Sequence, residues 1–198
     1  MKRRKIACHC GVRSFELNKA LFLDRDGVIN EDNNYVHKIE DFVFIDGIFD
    51  VLEMFQQMGY LLIIVSNQAG IARGYYSEKD FLKLNKWMCN EFAKKGIHIT
   101  KTYYCPYHPV HGKGSYLADS LDRKPNPGMI LKAKDEFDIS LKDSILVGDK
   151  ISDMEVGRRS GIGTLIFLKG KYEADDAKDV RIITNINEMK SATKWVIR

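Results

Sequence analysis

The chain has 198 residues, of which 44% are hydrophobic and 29% are charged. This is the balance of an ordinary globular protein, and the length suits one domain with a full hydrophobic core. The net charge of +4 is mild, and the basic start MKRRK comes without the signature of a nucleic-acid-binding module. No apolar run approaches the roughly 20 residues that a membrane helix needs. We therefore expect no nucleic-acid partner and no membrane partner.

The N-terminal segment lacks the apolar core of a secretory signal, so we expect a cytoplasmic protein with reduced thiols. The four cysteines form no CxxC pair and no disulfide framework. Residues 1–18 precede the first predicted strand and are interpreted as an appendage. Residues 19–195 are predicted to form a single domain, and we expect a monomer.

Buried strands and amphipathic helices alternate along the chain. Strands are predicted at 20–24, 60–67, 97–105, 144–149, 163–168 and 180–185. Helices are predicted at 47–59, 77–96, 127–137, 152–161 and 186–195. Ser77 is a typical N-cap of the second helix, whose buried stripe is expected to contain Phe81, Leu84, Met88 and Phe92. A loop of about 20 residues runs up to Pro125, and a loop of that length is usually functional.

This alternation predicts an α/β fold, a Rossmann-like three-layer sandwich with a mostly parallel sheet and helices on both faces. Continuous apolar runs such as YLLIIVSN are typical of strands that are buried on both faces. Only residues 27–65 separate the acidic segment after the first strand from the polar end of the second. A helix and a strand fill the second half of that span, so we expect no large cap domain over the site.

Polar and charged residues end three of the predicted strands, and the long loop adds two cations. The residues are Asp24 and Asp26, then Ser66, Asn67 and Gln68, then Asp149, Lys150 and Asp153, with Arg123 and Lys124 from the loop. In open parallel folds, ligands bind outside the carboxyl ends of the strands. Clustered carboxylates need a cation, and hard oxygen ligands without soft donors favour Mg²⁺. A hydroxyl, an amide and a lysine around such a metal form a cradle for phosphoryl oxygens.

Four segments, in this order, resemble the haloacid dehalogenase superfamily of phosphotransferases: FLDRDGVIN, VSNQAGIARGYY, RKPNPGM and LVGDKISDM. The resemblance covers nearly all of residues 20–190. It is closer to the subgroup of D,D-heptose 1,7-bisphosphate and histidinol-phosphate phosphatases, and SNQAGIARGYY with DRDGVIN looks like the heptose enzymes. The resemblance implies a phosphatase that removes the 7-phosphate of the heptose bisphosphate, in the synthesis of activated heptose for bacterial surface polysaccharide such as lipopolysaccharide.

The resemblance also implies roles for four aspartates. Asp24 would be the nucleophile that forms an aspartyl phosphate. Asp26 would be the general acid toward the leaving sugar oxygen and then the base for water. Mg²⁺ would be held by the Asp24 carboxylate, the Asp26 backbone carbonyl and Asp149, and Asp153 would support this arrangement from behind.

Phosphate and sugar contacts follow from the same resemblance. Ser66, Asn67 and Lys124 would hold the equatorial phosphoryl oxygens. A sugar with two phosphates needs a second anion site, which suits a planar guanidinium. The residues expected to contact the substrate are Arg123, Gln68, Asp32, Tyr35 and Lys150.

Three alternatives remain open from the sequence. The first is a phosphatase for histidinol phosphate or another small phospho-metabolite. The second is a phosphosugar-binding module without catalysis, and the third is a nucleic-acid 3′-phosphatase. The presence of Asp24, Asp26, Lys124 and Asp149 argues against the binding module. The absence of a kinase or binding domain in this sequence argues against the nucleic-acid enzyme.

The segment YYCPYHPVHG resembles the loop on which relatives in this subgroup hold a structural zinc. Of the four expected ligand positions only Cys105 carries a ligand, because Tyr107, Ser120 and Asp122 stand at the other three. We therefore expect no structural zinc. The sequence leaves open whether other residues replace the three missing zinc ligands. The candidates are Cys8, His9, Cys10, His108 and His111. Without zinc, packing by Tyr104, Tyr107 or Tyr116 is expected to hold the loop.

Overall fold

Six parallel strands form the centre of the computed structural model, which describes residues 17–173 and 178–191. The strands are β1 (Lys19–Leu23), β2 (Tyr60–Asn67), β3 (Ile99–Cys105), β4 (Ile145–Gly148), β5 (Thr164–Leu168) and β6 (Val180–Ile183). Their order across the sheet is β3-β2-β1-β4-β5-β6. The predicted parallel α/β architecture is confirmed, and each predicted strand is present close to its expected bounds. The predicted appendage lies outside the described residues up to residue 16.

Five α-helices flank this sheet in the part of the chain that the structure describes. They are α1 (Ile48–Gln57), α2 (Ala69–Arg73), α3 (Glu78–Lys94), α4 (Gly128–Phe137) and α5 (Ile151–Ser160). Ser77 caps α3 as predicted, since its hydroxyl accepts a hydrogen bond from the Asp80 N–H while the Asp80 carboxylate accepts one from the Ser77 N–H. The predicted stripe on α3 is buried. None of the described helices is long and apolar enough to cross a bilayer.

Both faces of the sheet are covered, because alternate residues of the central strands enter two different cores. In β1, Leu21 and Leu23 belong to the core under α1 and α3, while Ala20 and Phe22 belong to the core under α4 and α5. Strand β2 divides its side chains in the same way. This explains why the strands read as continuous apolar runs, since neither face of the sheet is left for polar residues.

Two helix predictions need correction. The short helix α2 was not expected, because its five residues include a glycine and carry too few apolar positions to show a period. The helix predicted at 186–195 is wrong for the residues that the structure describes, which form a 3-10 helix at Ile186–Ser191. The carboxylate of Glu188 accepts hydrogen bonds from the N–H groups of Thr184 and Asn185, which stabilises the start of this short helix.

The strand order places the functional residues. The chain proceeds outward from β1 to β2 and β3 on one side, and from β4 to β5 and β6 on the other. The direction of progression therefore changes between β1 and β4, and this switch point is where open α/β sheets bind ligands. Asp24 follows β1 and Asp149 follows β4, so the two carboxylates meet at this point.

We predict that Gly70→Ala destabilises the protein by about 1–3 kcal/mol through overpacking. A Cβ at position 70 would lie 2.2 Å from the Tyr76 ring, whereas the matched control Gly170→Ala meets nothing within 4 Å. Urea unfolding monitored by circular dichroism measures both variants. Equal midpoints for Gly70→Ala and the wild type would contradict the steric argument.

Candidate active site

Three buried carboxylates meet at the switch point. Asp24, Asp149 and Asp153 are 4%, 2% and 0% exposed. Each has an oxygen within 4.8 Å of the other two. So many like charges in a buried place are unfavourable unless cations compensate them. The predicted convergence of the first and fourth strand ends is therefore present in the structure.

Lys124 supplies a buried cation within this cluster. Its Nζ lies 2.6 Å from Asp153 Oδ1 and 3.0 Å from Asp24 Oδ1, and it also donates to the Val65 carbonyl at 2.9 Å. Although burial alone would lower the pKa of Lys124, the charges of Asp153 and Asp24 raise it. The ammonium group is therefore held in its charged form beside the predicted nucleophile. Asp153 contacts this ammonium group directly, and its predicted supporting role stays a prediction.

The side chain of Asn67 holds the loop that carries Lys124. Its Nδ2 donates to the Lys124 carbonyl, and its Oδ1 accepts from the Lys124 N–H, both at 3.0 Å. The predicted contact between Asn67 and a phosphoryl oxygen stays a prediction. In this structure its amide instead fixes the backbone of Lys124 against the end of β2.

Two glycines let these elements approach each other. A Cβ on Gly27 would lie 2.1 Å from Asp149 Oδ2, and a Cβ on Gly148 would lie 2.2 Å from the Cβ of Asp153. Gly27 also has a φ of +91°, a conformation that side-chain-bearing residues rarely adopt. The motifs DRDG and VGD therefore need glycine for steric reasons at the base of the site.

Asp26 is bound from two sides. Arg25 forms an ion pair with it at 2.8 Å, and Asn30 Nδ2 donates to its Oδ1 at 3.0 Å. On the other side, Gln68 Nε2 lies 3.4 Å from Asp26 Oδ2 and donates to Ser66 Oγ at 2.7 Å. Gln68 was predicted to contact substrate, a role that stays a prediction. Here its 1% exposed side chain links Ser66 to Asp26.

Lys150 marks the position where a cation fits. Its Nζ lies 3.2 Å from Asp149 Oδ1, 3.5 Å from the Asp26 carbonyl oxygen and 4.0 Å from Asp24 Oδ2. These three oxygens are the predicted Mg²⁺ ligands. They are hard donors with no sulfur or imidazole beside them among the described residues, which is the ligand set that Mg²⁺ prefers. The residues present therefore fit a magnesium ion.

Burial sets the protonation of the acidic residues. Burial raises the pKa of Asp24, the neighbouring Asp153 raises it further, and Lys124 and Lys150 oppose both effects. Burial and the charge of Asp24 raise the pKa of Asp149 to about 7, against the lowering effect of Lys150. A bound divalent cation would favour the ionised form of both groups.

Asp32 and Lys150, two of the predicted substrate residues, form a rim beside this centre, whereas Gln68 is buried inside it. Asp32 lies 3.3 Å from Lys150 Nζ and 3.3 Å from the hydroxyl of Tyr172, a residue that the sequence did not single out. Tyr35 is 40% exposed and packs edge-on against Tyr75, with 4.8 Å between the ring centroids. The structure thus brings Asp32 and Lys150 together and adds Tyr172 to the rim.

Arg123 precedes the buried Lys124 at the end of the long loop. Its Nη1 donates to the Tyr107 carbonyl at 3.2 Å, which leaves the rest of the guanidinium for other partners. Burial lowers the pKa of Arg123, and the nearby charge of Arg73 lowers it further. Two guanidinium charges that lie near each other favour an anionic ligand beside them.

Glu78 fastens the long loop to the first turn of α3. Its two carboxylate oxygens accept hydrogen bonds from the hydroxyls of Tyr104, at 2.6 Å, and Tyr116, at 3.1 Å. Tyr104 also packs on Phe81, and Tyr116 lies 6.0 Å from the ring of Tyr107. The predicted aromatic packing of the loop is present, and the carboxylate that completes it was not predicted.

The expected zinc-ligand positions serve other contacts. Cys105 is buried, and its thiol donates to the Tyr107 carbonyl at 3.9 Å. Nδ1 of His108 accepts hydrogen bonds from the N–H groups of Val110 and His111. Cys8, His9 and Cys10 lie outside the described residues. Within the described residues, the one group of metal-ligating side chains lies at the three aspartates.

Sequence reasoning missed Arg25, Tyr76 and Glu78. Arg25 stands between the two aspartates of DRDG, where a charged residue at a strand end is usually solvated. In the structure it is 1% exposed. The signal available in the sequence was its place between the two aspartates of the DRDG motif.

Comparisons with known proteins agree with this geometry. The HAD-hydrolase-like family model matches residues 121–189, which include Lys124, Asp149 and Asp153. A Burkholderia mallei protein named D-glycero-alpha-D-manno-heptose-1,7-bisphosphate 7-phosphatase is 56% identical over 151 residues, 76% of this chain and 80% of that protein. A Vibrio cholerae protein that carries the beta form of the name is 49% identical over 179 residues, 90% of this chain and 96% of that protein.

The chain belongs to the heptose-1,7-bisphosphate 7-phosphatase family. A crystal structure of a HAD-like protein from Mesorhizobium loti superimposes with a TM-score of 0.81 at 30% identity. The superposition covers 95% of this chain and 92% of that one. As a family member, the chain has the fold of the HAD-like phosphatases, and it is a phosphoric monoester hydrolase.

We predict that Asp149→Asn stabilises the metal-free protein at pH 8. The native pKa of Asp149 is about 7 and its ordinary value is 3.8. Between these values the native state binds more protons than the unfolded state, so stability falls as pH rises. The variant removes this loss. Its unfolding free energy in EDTA should exceed that of the wild type at pH 8, and the difference should shrink toward pH 5.

Chemical denaturation across this pH range measures the effect, with Asp135→Asn on the exposed face of α4 as the matched control. The control should follow the wild type at each pH. A less stable Asp149→Asn variant at pH 8 would show that the ionised carboxylate is favourable in the metal-free site.

We predict that the purified protein contains far less than one zinc per chain, because the loop is held by Glu78 and tyrosine contacts. Elemental analysis after exchange into metal-free buffer measures the content. Stoichiometric zinc that survives dialysis would overturn this prediction. It would also direct attention to Cys105 and to the cysteines of the first ten residues.

Proposed function

We propose that the protein is a magnesium-dependent phosphatase that removes the 7-phosphate of D-glycero-D-manno-heptose 1,7-bisphosphate. The observation that carries the proposal is the buried contact of Lys124 Nζ with both Asp24, at 3.0 Å, and Asp153, at 2.6 Å. This contact places the Lys124 ammonium beside Asp24, the proposed nucleophile, where the same cation is available to a bound phosphoryl group. The names of relatives up to 56% identical supply the substrate.

The first half of the reaction transfers the phosphoryl group to the protein. A carboxylate oxygen of Asp24 forms a bond to phosphorus while the bond between phosphorus and the sugar oxygen breaks. The leaving oxygen takes a proton from Asp26, which becomes a carboxylate. Lys124 and Ser66 are placed to hold the equatorial oxygens as their charge shifts.

The second half restores the protein. Water attacks phosphorus of the aspartyl phosphate and loses a proton to the Asp26 carboxylate, while the bond from phosphorus to Asp24 breaks. Inorganic phosphate leaves, and both aspartates return to their starting protonation states. One residue thus serves as acid and then as base, which requires that its carboxylate stay in one place between the steps.

The Asp24 carboxylate, the Asp26 carbonyl and the Asp149 carboxylate would hold Mg²⁺. When bound, the ion offsets the negative charge of these carboxylates and of the phosphoryl oxygens. Lys150 already lies among the same three oxygens.

The proposal extends to where the product goes. Dephosphorylation at one end leaves a heptose 1-phosphate, the form from which an activated sugar is made for bacterial surface polysaccharide such as lipopolysaccharide. We propose that the protein works as a cytoplasmic monomer on this soluble sugar. Arg123 and Arg73 support binding of the phosphate that is retained, because their guanidinium charges lie close enough to each other to act on the same anion.

We predict that the protein with Mg²⁺ releases the 7-phosphate of heptose 1,7-bisphosphate with a kcat/KM more than about tenfold above that for histidinol phosphate. Both the alpha and the beta anomer are assayed, and the product is analysed for the phosphate that remains. Asp24→Asn provides the blank, because it lacks the nucleophile, and Asp135→Asn is the matched control on an exposed helix face. A preference for histidinol phosphate would replace the proposed substrate, and full activity in Asp24→Asn would remove Asp24 from its role.

A further inference from the structure

Arg25 is a fully buried charged side chain that has no role in the phosphatase reaction described above. It is 1% exposed, and it heads the set of largest fully buried side chains. Its guanidinium lies over the Phe81 ring, with the Cζ 5.7 Å from the ring centroid. Burying a guanidinium costs free energy, and apolar residues often replace a buried ion pair without loss of stability. Stability alone is therefore a weak reason for an arginine at this position.

The guanidinium contacts Asp26 unequally at its two oxygens. Oδ1 of Asp26 accepts from Arg25 Nη2 at 2.8 Å, from Arg25 Nε at 3.2 Å and from Asn30 Nδ2 at 3.0 Å. Oδ2 accepts from Arg25 Nη2 at 2.9 Å and from Gln68 Nε2 at the longer distance of 3.4 Å. One oxygen is thus fixed by three donors, while the other faces Gln68 and Ser66, beside the proposed phosphate position.

The orientation of Gln68 is fixed in turn by Tyr76. The buried hydroxyl of Tyr76 donates to Gln68 Oε1 at 2.6 Å, so the NH₂ group of Gln68 must face Asp26 and Ser66. Burial raises the pKa of Tyr76, which keeps this hydroxyl a donor at neutral pH. Gly70 leaves the space that the Tyr76 ring occupies. The SNQAGIARGYY segment thereby supports Oδ2 of Asp26 from the side of β2.

Arg25 also reaches the loop at the rim. Its Nη2 donates to the Val36 carbonyl at 2.7 Å. Val36 follows Asn34 and Tyr35, which have φ values of +59° and +56°. Two successive side-chain-bearing residues in the left-handed region need contacts that hold them there. One guanidinium therefore connects Asp26 to the loop that carries Asp32 and Tyr35.

We propose that Arg25 is a positioning residue that anchors Oδ1 of Asp26, so that Oδ2 carries the proton between Asp26 and the reacting oxygens. Arg25 does not touch the substrate. This inference rests on the proposed phosphatase function, in which Asp26 protonates the leaving sugar oxygen. Misplacing a catalytic group by about 1 Å can cost roughly 100-fold in rate.

The proposal predicts a loss that depends on the leaving group. A sugar alkoxide leaves slowly unless it is protonated, whereas para-nitrophenolate leaves without a proton. Arg25→Met should lower kcat/KM for heptose 1,7-bisphosphate by roughly 100-fold, which is within the range for loss of general acid catalysis. It should lower kcat/KM for para-nitrophenyl phosphate at most about threefold. Asp26→Asn should show the same contrast, and Arg25→Lys should recover part of the loss because it keeps the charge but not the bidentate geometry.

Two comparisons keep the test decisive. Arg158→Met is the matched control. Arg158 lies on α5 and forms an exposed ion pair with Asp179, so this variant should change the rate of neither reaction. The double variant Arg25→Met/Asp26→Asn removes both partners of the buried pair and should lose less than about twofold relative to Asp26→Asn alone. This comparison holds even where the single Arg25→Met variant folds poorly.

The outcomes separate the inference from the function. Equal losses on both substrates in folded Arg25→Met, or a further large loss in the double variant, would overturn the positioning role. Wild-type protein that releases phosphate from neither substrate would instead overturn the proposed function. A leaving-group-dependent loss shared by Arg25→Met and Asp26→Asn is the result we expect.

Discussion

The buried ammonium of Lys124 is the interaction on which the rest of the site depends. Asp24 and Asp153 come from different parts of the chain, and Lys124 lies between their carboxylates at 3.0 Å and 2.6 Å and compensates their charges. Removing one partner of such a buried arrangement typically costs about 3–5 kcal/mol, since the remaining charges stay desolvated. The Asn67 amide and the Val65 carbonyl serve this same lysine. The loop, the end of β2 and the acidic cluster therefore form one unit.

The sheet could be predicted because each buried strand is a continuous apolar run that can be recognised in the sequence. A strand covered by helices on both faces must be apolar at every position, so YLLIIVSN reads as a strand whatever surrounds it. Parallel strands end at the same edge, which already brings Asp24, Ser66 and Asp149 together. The tail at 186–191 was harder, because Asn185 with Glu188 signals the start of a helix but does not decide between an α-helix and a short 3-10 helix.

The contacts of individual side chains at the site were harder to predict from the sequence. Gln68 and Asn67 read as substrate contacts because they are polar residues at a strand end, yet both amides bind protein groups in the structure. Which way a side chain turns depends on partners far along the chain, such as Lys124 for Asn67. Arg25 shows the same limit, since an arginine between two aspartates reads as solvated until Phe81 and Val36 are seen to cover it.

The carboxylate of Glu78 has a consequence for the susceptibility of the chain to proteases. It ties down Tyr104 and Tyr116, whereas Leu117 and Leu121, which follow on the same loop, are 53% and 77% exposed. Exposed loop segments are preferred sites of proteolytic nicking. A cut between these leucines would spare each strand of the sheet and would leave Lys124 bound to Asn67, Asp24 and Asp153. A nicked protein is therefore expected to stay folded, with its two fragments joined through the buried ion pairs of the site.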